Sequence, residues 1–186
     1  MNEFATYEFV VRQKNEGKWL FARIGLIFLY VAYVVTLLSV GLLARIVVPL
    51  LALIPISLWI LIFITWRYVS VEYEYSITSG VLTFTKIYGG RSRKRILELP
   101  LRDAVRIAPL DNSMEADRAQ HYHPEREFSA ISSLKAPDIY FILFELGAEK
   151  NKDKRRAILY LEATQKALQI FRYYNASATL VQKVSR

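Results

Sequence analysis

The sequence predicts an α+β protein in which a transmembrane helical hairpin precedes an antiparallel β domain that ends in a helix. Three observations predict this fold class. Residues 24–44 and 46–66 contain no charged side chain, and each stretch would form a helix about 32 Å long, slightly more than the roughly 30 Å hydrocarbon core of a bilayer. Apolar and polar residues alternate after residue 68, which is typical of half-buried strands. Residues 164–174 then show the spacing of an amphipathic helix.

The two apolar stretches predict membrane helices over residues 20–44 and 46–66, within a hairpin of residues 20–67. Arg45 is the only charged residue between residues 24 and 66. A proton or ion pathway needs ionisable side chains that face a cavity. We therefore interpret the hairpin as an anchor rather than a pore.

The charges beside the hairpin predict its orientation. Basic residues precede the first stretch and follow the second, whereas only Arg45 lies in the turn. Because positively charged loops stay on the cytoplasmic side, we expect a multi-pass protein of the cell membrane with cytoplasmic N- and C-termini. Aromatic and basic side chains at the helix ends are expected to anchor the hairpin at the membrane interface. These anchors are Trp19, Phe21, Trp66, Arg67 and Tyr68.

Residues 1–19 form a predicted N-terminal cytoplasmic segment. Phe4, Tyr7 and Val11 recur at helical spacing and basic residues follow them, so one interpretation is an amphipathic helix on the membrane surface. The other interpretation is a disordered lead-in.

Strand signals begin directly after the hairpin. Strict alternation from Val69 to Ile77 predicts a first strand, and Ser79-Gly80 predicts a tight turn into a second strand over residues 81–87. Residues 94–99 and 104–108 predict two further strands. We expect these four strands to form one meander.

The second half of the domain combines a polar stretch with three more strands. Residues 110–126 lack an apolar period and predict an exposed loop. A fifth strand is expected over residues 127–131, and the apolar run IYFILFEL at 139–146 predicts a sixth strand buried on both faces. Residues 157–161 predict a seventh strand, and Thr164 can cap the closing helix.

Seven short strands followed by one amphipathic helix is the element order of the pleckstrin-homology (PH) fold. Several short motifs agree with it: EYEY at 72–75, the turn at 79–80, Lys86-Ile87, the cluster at 91–95, Ala108-Pro109 and Tyr140-Phe141. With the preceding hairpin, these motifs make the chain resemble small bacterial membrane proteins with a PH-like domain, a family largely of unknown function. The resemblance implies a PH-like cytoplasmic domain over residues 68–175, built as a seven-stranded antiparallel barrel or sandwich with a capping helix. It implies no catalytic residues, and residues 176–186 are left as a C-terminal tail.

Basic residues after the hairpin are the candidate contacts with a lipid surface or a partner. The chain carries a formal net charge of +8, and each Lys or Arg near an anionic membrane contributes about 1 kcal/mol to binding. We expect contact with the anionic inner leaflet and with a membrane or cytoplasmic protein that the sequence does not identify. We expect no nucleic-acid binding, because an RNA-binding aromatic motif is absent. The candidates are Lys86, Arg91, Arg93, Lys94, Arg95, Arg102 and Arg106.

Sequence patterns of catalysis and cofactor binding are absent. The chain has no cysteine, which excludes disulfides and thiol nucleophiles. His121 and His123 fall in a predicted loop without rigid support, so we expect no metal site there. No glycine-rich phosphate loop or nucleophile elbow occurs. We therefore expect no catalytic residues and no cofactor.

A membrane-anchored PH-like binding or scaffolding module is the predicted function. The alternative is a regulatory or assembly subunit of a larger membrane complex, such as a transporter or a membrane enzyme. A membrane-bound enzyme is the third hypothesis, and it would need a convergent polar pocket.

Overall fold

A computed structural model describes residues 6–133, 135–147, 155–182 and 184. The chain divides into two compact units. The helical unit comprises residues Lys14–Val71 and Ile87–Ser92, and the sheet unit comprises Met1–Gln13, Glu72–Lys86 and Arg93–Arg186. The chain therefore enters the helical unit twice, first with the hairpin and later with the short segment 87–92.

Two long helices make up most of the helical unit. Helix α1 spans Lys18–Ala44 and helix α2 spans Val47–Thr65, followed by a 3₁₀ turn at Trp66–Tyr68. Both helices are long and apolar enough to cross a membrane by length and composition. This confirms the two predicted helices, and Arg45 occupies the turn between them in the left-handed conformation, with φ 56°.

The two helices of the hairpin contact each other near the turn and at the C-terminal end of α2. Near the turn, a Cβ atom on Gly41 would lie 2.6 Å from Leu50 Cδ1, so glycine allows a close approach. At the other end, the Tyr30 hydroxyl lies 2.5 Å from Thr65 Oγ1. Thr65 donates its own hydrogen to the Leu61 carbonyl at 2.7 Å, so Tyr30 is the donor across the helices.

The first sheet contains four strands in the order β1-β2-β3-β4. The strands are β1 (Thr6–Arg12), β2 (Val71–Thr78), β3 (Val81–Tyr88) and β4 (Ser92–Pro100). The predicted strands at 69–77, 81–87 and 94–99 are confirmed with small shifts of their ends. The turn at Ser79-Gly80 joins β2 to β3, and both of its residues have positive φ.

Strand β1 corrects both interpretations of the N-terminal segment. It pairs antiparallel with β2, from Thr6 opposite Thr78 to Arg12 opposite Glu72. Val11 is buried, and the rings of Tyr7 and Phe9 pack against Tyr75 at 6.4 and 5.6 Å. Tyr7 and Val11 are four residues apart, so they share a face in a helix and in a strand alike. The intervening Phe9 is what favours the strand. Phe4 lies outside the described residues.

The second sheet also contains four strands, in the order β5-β7-β8-β6. The strands are β5 (Ala104–Pro109), β6 (Arg126–Ala130), β7 (Ile139–Leu146) and β8 (Arg155–Glu162). Strand β7 lies inside the sheet, and its five consecutive residues 140–144 are all buried, which confirms the prediction from its apolar run. Strand β6 pairs with β8 in parallel, whereas β7 pairs antiparallel with both β5 and β8.

The predicted meander of four strands after the hairpin is wrong. Strand β5 pairs with β7 in the second sheet, and β1 supplies the fourth strand of the first sheet. A short 3₁₀ turn, Leu101–Asp103, separates β4 from β5 and carries the fully buried Leu101. The predicted seven-stranded antiparallel barrel or sandwich is not confirmed, because the described residues form eight strands in two separate sheets and β6 pairs with β8 in parallel.

Residues 110–126 were expected to form an exposed loop, and this is wrong for its middle part. Helix α3 spans Ser113–His121. The Asn112 side chain caps it by accepting the backbone N–H groups of Met114 and Glu115, at 3.1 and 3.4 Å. The helix lacks an apolar stripe because its buried residues are Glu115 and Ala119, and the carboxylate of Glu115 is satisfied by arginines.

Helix α4 (Gln165–Tyr174) confirms the predicted closing helix. Thr164 Oγ1 accepts the Ala167 N–H at 3.2 Å, as expected for the cap. The apolar face of α4 is fully buried at Ala167, Leu168, Ile170 and Phe171. The chain beyond α4 then pairs with β5, where the backbone of Ile107 bonds to both Ala178 and Leu180 at 2.8 Å.

Candidate membrane-interface site

The helical unit contains a cavity of about 320 Å³ beside the C-terminal end of α2. One wall is formed by the last turns of α2 and the 3₁₀ turn, and the other by the segment between β3 and β4. Both walls belong to the helical unit. We name it the helix-end pocket, and its lining residues are Trp59, Ile62, Phe63, Trp66, Arg67, Ser70, Tyr88, Gly89, Arg91 and Ser92.

Aromatic rings form the apolar wall of the helix-end pocket. Trp59, Phe63 and Trp66 are spaced i, i+4 and i+7 along the chain, so they lie on one face of the helix. The rings of Trp59 and Phe63 stack at a centroid distance of 5.6 Å. Trp59 is 66% exposed and Phe63 49% exposed, so this wall is open to whatever surrounds α2.

Two arginines form the basic edge of the pocket. The guanidinium of Arg91 lies 4.6 Å from the ring centroid of Phe63, and that of Arg67 lies 4.8 Å from the ring of Tyr68. Arg67 also donates to the Tyr68 hydroxyl at 2.7 Å. Within the described part of the chain, neither arginine forms an ion pair with a carboxylate, and none of the lining residues is acidic. The pocket therefore carries an uncompensated positive charge next to an apolar aromatic wall.

Gly89 sets the distance between the two walls. Its N–H donates to the Ser70 carbonyl at 2.7 Å, and its φ of +59° is in the left-handed region. A Cβ atom at this position would lie 2.8 Å from Cβ and 3.2 Å from Cα of Arg67. Glycine is therefore needed both for the backbone conformation and for the close approach to Arg67.

Arg23 holds the first helix against the end of the second. Its Nε and Nη2 atoms both donate to the Val69 carbonyl, at 3.2 and 2.9 Å. The guanidinium also lies 5.9 Å from the ring of Trp66. This cation fixes the residues that follow α2, which include Arg67 of the basic edge.

The predicted interface anchors lie at matching ends of α1 and α2. Trp66 and Arg67 line the helix-end pocket, and Tyr68 contacts Arg67. Trp19 is partly buried with the Lys18 amine 6.0 Å from its ring, and Phe21 is 74% exposed.

Four of the candidate basic residues lie in or next to the turn between β3 and β4, and the structure separates them. Arg91 lines the helix-end pocket. In the sheet unit, Arg93 lies 3.5 Å from a carboxylate oxygen of Glu74, and Arg95 forms an ion pair with Glu98. Lys94 is exposed.

The remaining candidates occupy different environments. The Lys86 amine lies 5.8 Å from the ring of Tyr73, and Arg102 is exposed. Arg106 binds both carboxylate oxygens of Glu115, at 3.0 and 2.6 Å, and Arg118 binds the same carboxylate at 3.1 Å. These contacts lower the pKa of Glu115 below its ordinary value, chiefly through the hydrogen bonds from Arg106.

Sequence reasoning missed most of the lining of the helix-end pocket. Ser70, Tyr88 and Ser92 gave no signal, because each is an ordinary residue at the end of a strand. Trp59 and Phe63 did give one, since large aromatic residues at helical spacing continue to Trp66 on a single face. Both residues lie within the apolar stretch 46–66, which we interpret as a whole as a membrane helix.

The sheet unit contains a buried polar cluster around Glu162. The buried carboxylate of Glu162 accepts the Ser132 N–H at 2.6 Å, and the Tyr75 hydroxyl donates to the Glu162 carbonyl at 3.0 Å. Burial raises the pKa of Tyr75 above its ordinary value. Glu162 therefore fixes the chain after β6. Within the described residues, Ser132 Oγ is buried without a hydrogen-bond partner.

The histidine pair lies at the end of α3. His121 Nδ1 lies 2.8 Å from the Asp117 carbonyl, and His123 has a φ of 49°. Among the described residues, no group of three or more His, Asp and Glu side chains is arranged to hold a metal ion.

The chain was compared with protein-family models, curated proteins and solved structures. A search of curated proteins and a search of solved structures gave no match. A family model described as "Bacterial PH-like domain (DUF6106)" matches residues 3–180. The match includes β1, the hairpin and α4, and it confirms the resemblance drawn from the sequence. The chain belongs to this bacterial PH-like family of unknown function.

Proposed function

We propose that this protein is a membrane-anchored PH-like binding module of the cell membrane. Helices α1 and α2 anchor it as a multi-pass protein with both termini in the cytoplasm. The cations at the end of α2 contact the anionic inner leaflet. The observation that carries this proposal is the helix-end pocket, in which an exposed aromatic face of α2 adjoins Arg67 and Arg91.

The surface of the hairpin supports membrane anchoring. Of the 18-residue apolar stretch within each helix, only 11% is buried in α1 and 6% in α2. Large apolar side chains point outward along both helices, including Phe28, Leu43 and Val48. An apolar patch of this size is unfavourable in water and is covered by lipid in a bilayer.

The ring contacts of the arginines support contact with headgroups. A guanidinium is more weakly hydrated than an ammonium and stacks on aromatic faces. Such a group is suited to the polar boundary of a membrane, where phosphate and aromatic rings are both present. Arg67 and Arg91 each combine a ring contact with an uncompensated charge.

Hydrogen exchange of the full chain in nanodiscs tests this proposal. We expect the backbone amides of residues 86–95 to exchange more slowly in discs that contain anionic lipid than in neutral discs. Neutralising Arg91, Arg93, Lys94 and Arg95 to Gln should remove the difference, and added salt should reduce it because surface charges are screened.

A control variant with the same loss of charge distinguishes an effect of these four positions from an effect of the net charge of the chain. Arg126, Lys135, Lys166 and Arg172 are exposed, and their neutralisation should leave the difference unchanged. Equal exchange in anionic and neutral discs for the unmodified chain would contradict contact with the lipid surface.

Whether a protein stays bound to the chain during purification distinguishes the proposed module from the alternative function. Copurification of a stoichiometric protein with the full chain would favour the alternative function, a regulatory or assembly subunit of a larger membrane complex. A monodisperse chain without such a protein would favour the module that binds the bilayer surface directly.

A further inference from the structure

We infer that the helix-end pocket binds one anionic phospholipid taken from the surrounding bilayer. Arg67 and Arg91 hold the phosphate, and the upper part of an acyl chain lies along Trp59 and Phe63. This inference rests on the proposed function, because the pocket meets lipid only when α2 is in the membrane.

The dimensions of the pocket fit the polar end of a lipid. Trp59 and Trp66 are seven residues apart, which corresponds to about 10 Å along a helix axis. That distance reaches from the headgroup layer into the upper hydrocarbon region. A volume of about 320 Å³ is at the small end of ligand pockets. It accommodates a phosphate, a glycerol and the start of one chain, while the remaining hydrocarbon stays in the bilayer.

The charge of the pocket selects an anionic ligand. Its two guanidinium groups have planar forks of N–H donors that match phosphate oxygens. The hydroxyl groups of Ser70 and Ser92 add two groups that can donate to phosphate. A zwitterionic headgroup would bring its own positive charge close to Arg67 and Arg91, so a net-negative headgroup is favoured.

The apolar wall selects a lipid over a soluble phosphate. Trp59 and Phe63 offer an exposed stacked surface below the basic edge, and a small anion would leave that surface uncovered. An acyl chain covers it. The occupant that satisfies both the basic edge and the apolar wall is therefore a membrane phospholipid.

Tryptophan quenching by brominated lipid tests the inference on the full chain. Two of the three tryptophans, Trp59 and Trp66, line the pocket, and the contribution of Trp19 is common to all variants. In nanodiscs of neutral lipid, we expect brominated anionic phospholipid to quench at a mole fraction about tenfold lower than brominated neutral phospholipid. Arg67→Gln combined with Arg91→Gln should abolish this preference. Arg45→Gln, at the opposite end of the hairpin, should retain it.

A pair of glycine variants separates a shaped pocket from general attraction to the basic end of the hairpin. Gly89→Ala and Gly90→Ala both place alanine at a positive φ, and neither changes the charge. Only at Gly89 would the new Cβ collide with Arg67, whereas no atom lies within 4 Å of a Cβ at Gly90. We expect Gly89→Ala to lose the anionic preference and Gly90→Ala to keep it.

Two results would overturn the inference. The first is equal quenching by anionic and neutral brominated lipid in the unmodified chain. The second is a preference that survives Gly89→Ala, because that would indicate attraction without a shaped site. Either result leaves the proposed membrane module intact if the amide exchange of residues 86–95 still responds to anionic lipid. Loss of both responses would reject the proposed function as well.

Discussion

At the scale of single residues, Glu115 links a helix to a sheet through its charge. Its side chain is only 8% exposed, and its carboxylate is bound by Arg106 on β5 and by Arg118 one turn further along α3. The sequence shows Glu115 and Arg118 only as part of a polar stretch, and Arg106 only as a basic residue of a predicted strand. Their pairing depends on a fold that brings positions 106 and 115 together, so no local pattern predicts it.

The lowered pKa of Glu115 makes part of the folding stability depend on pH. The ionised carboxylate is favoured in the folded state, so its contribution is fully present above the ordinary pKa of about 4.5. It is lost as the pH falls through the lower folded pKa. We expect Glu115→Gln to reduce stability by about 1–3 kcal/mol at neutral pH, since Arg106 loses its charged partner.

Thermal unfolding of the full chain in detergent, followed from neutral to acidic pH, measures this effect. The difference between the unmodified chain and Glu115→Gln should shrink as the pH falls. Glu98→Gln is the matched control, because the exposed pair of Glu98 and Arg95 contributes only about 0–1 kcal/mol. A Glu115→Gln difference that stays constant with pH would refute the role of the ionised carboxylate.

At the scale of elements, strand β1 is the least expected part of the fold. It lies before the hairpin in sequence, yet its partner β2 follows the hairpin. The pairing of Arg12 with Glu72 shows that the chain leaves this sheet at residue 13 and returns at residue 71. The sheet is therefore completed by a segment that a domain boundary drawn at residue 68 leaves out.

A truncation experiment tests the importance of β1. A chain of residues 68–186 exposes the edge of β2 and the aromatic ring of Tyr75, and we expect it to aggregate. Joining residues 6–12 directly to residues 72–186 through a short Asn-Gly turn restores the pairing, and we expect this chain to be monomeric. Size-exclusion chromatography of both chains gives the answer. Monomeric behaviour of the truncated chain would show that β1 is dispensable.

Elements with a complete local signal were predictable from sequence, and elements that depend on distant partners were not. The apolar run of β7 and the capped amphipathic pattern of α4 identified both. Helix α3 was missed because it buries a glutamate rather than an apolar stripe. Strand β5 was recognised but assigned to the wrong sheet, since a strand's own residues do not specify its neighbour. The candidate site shows the same division. Its basic residues were recognisable from the sequence, whereas the pocket that they form with Trp59 depends on contacts between distant residues and was not.

At the scale of the whole molecule, the hairpin interrupts a sheet rather than preceding a domain. Because β1 and β2 pair directly, a membrane-crossing segment between them would need an even number of spans to keep both strands on one side. The family match over residues 3–180 agrees with a single unit of sequence that includes the hairpin.

Single-cysteine labelling in intact cells tests whether the hairpin spans the membrane, since the chain has no cysteine of its own. Arg45→Cys lies in the turn of the hairpin and Lys94→Cys at the start of β4, and both positions are exposed. We expect a membrane-impermeant maleimide to label Arg45→Cys from outside and to label Lys94→Cys only after the cells are broken. Labelling of Lys94→Cys from outside, or of neither position until lysis, would contradict a hairpin that spans the membrane with its PH-like domain in the cytoplasm.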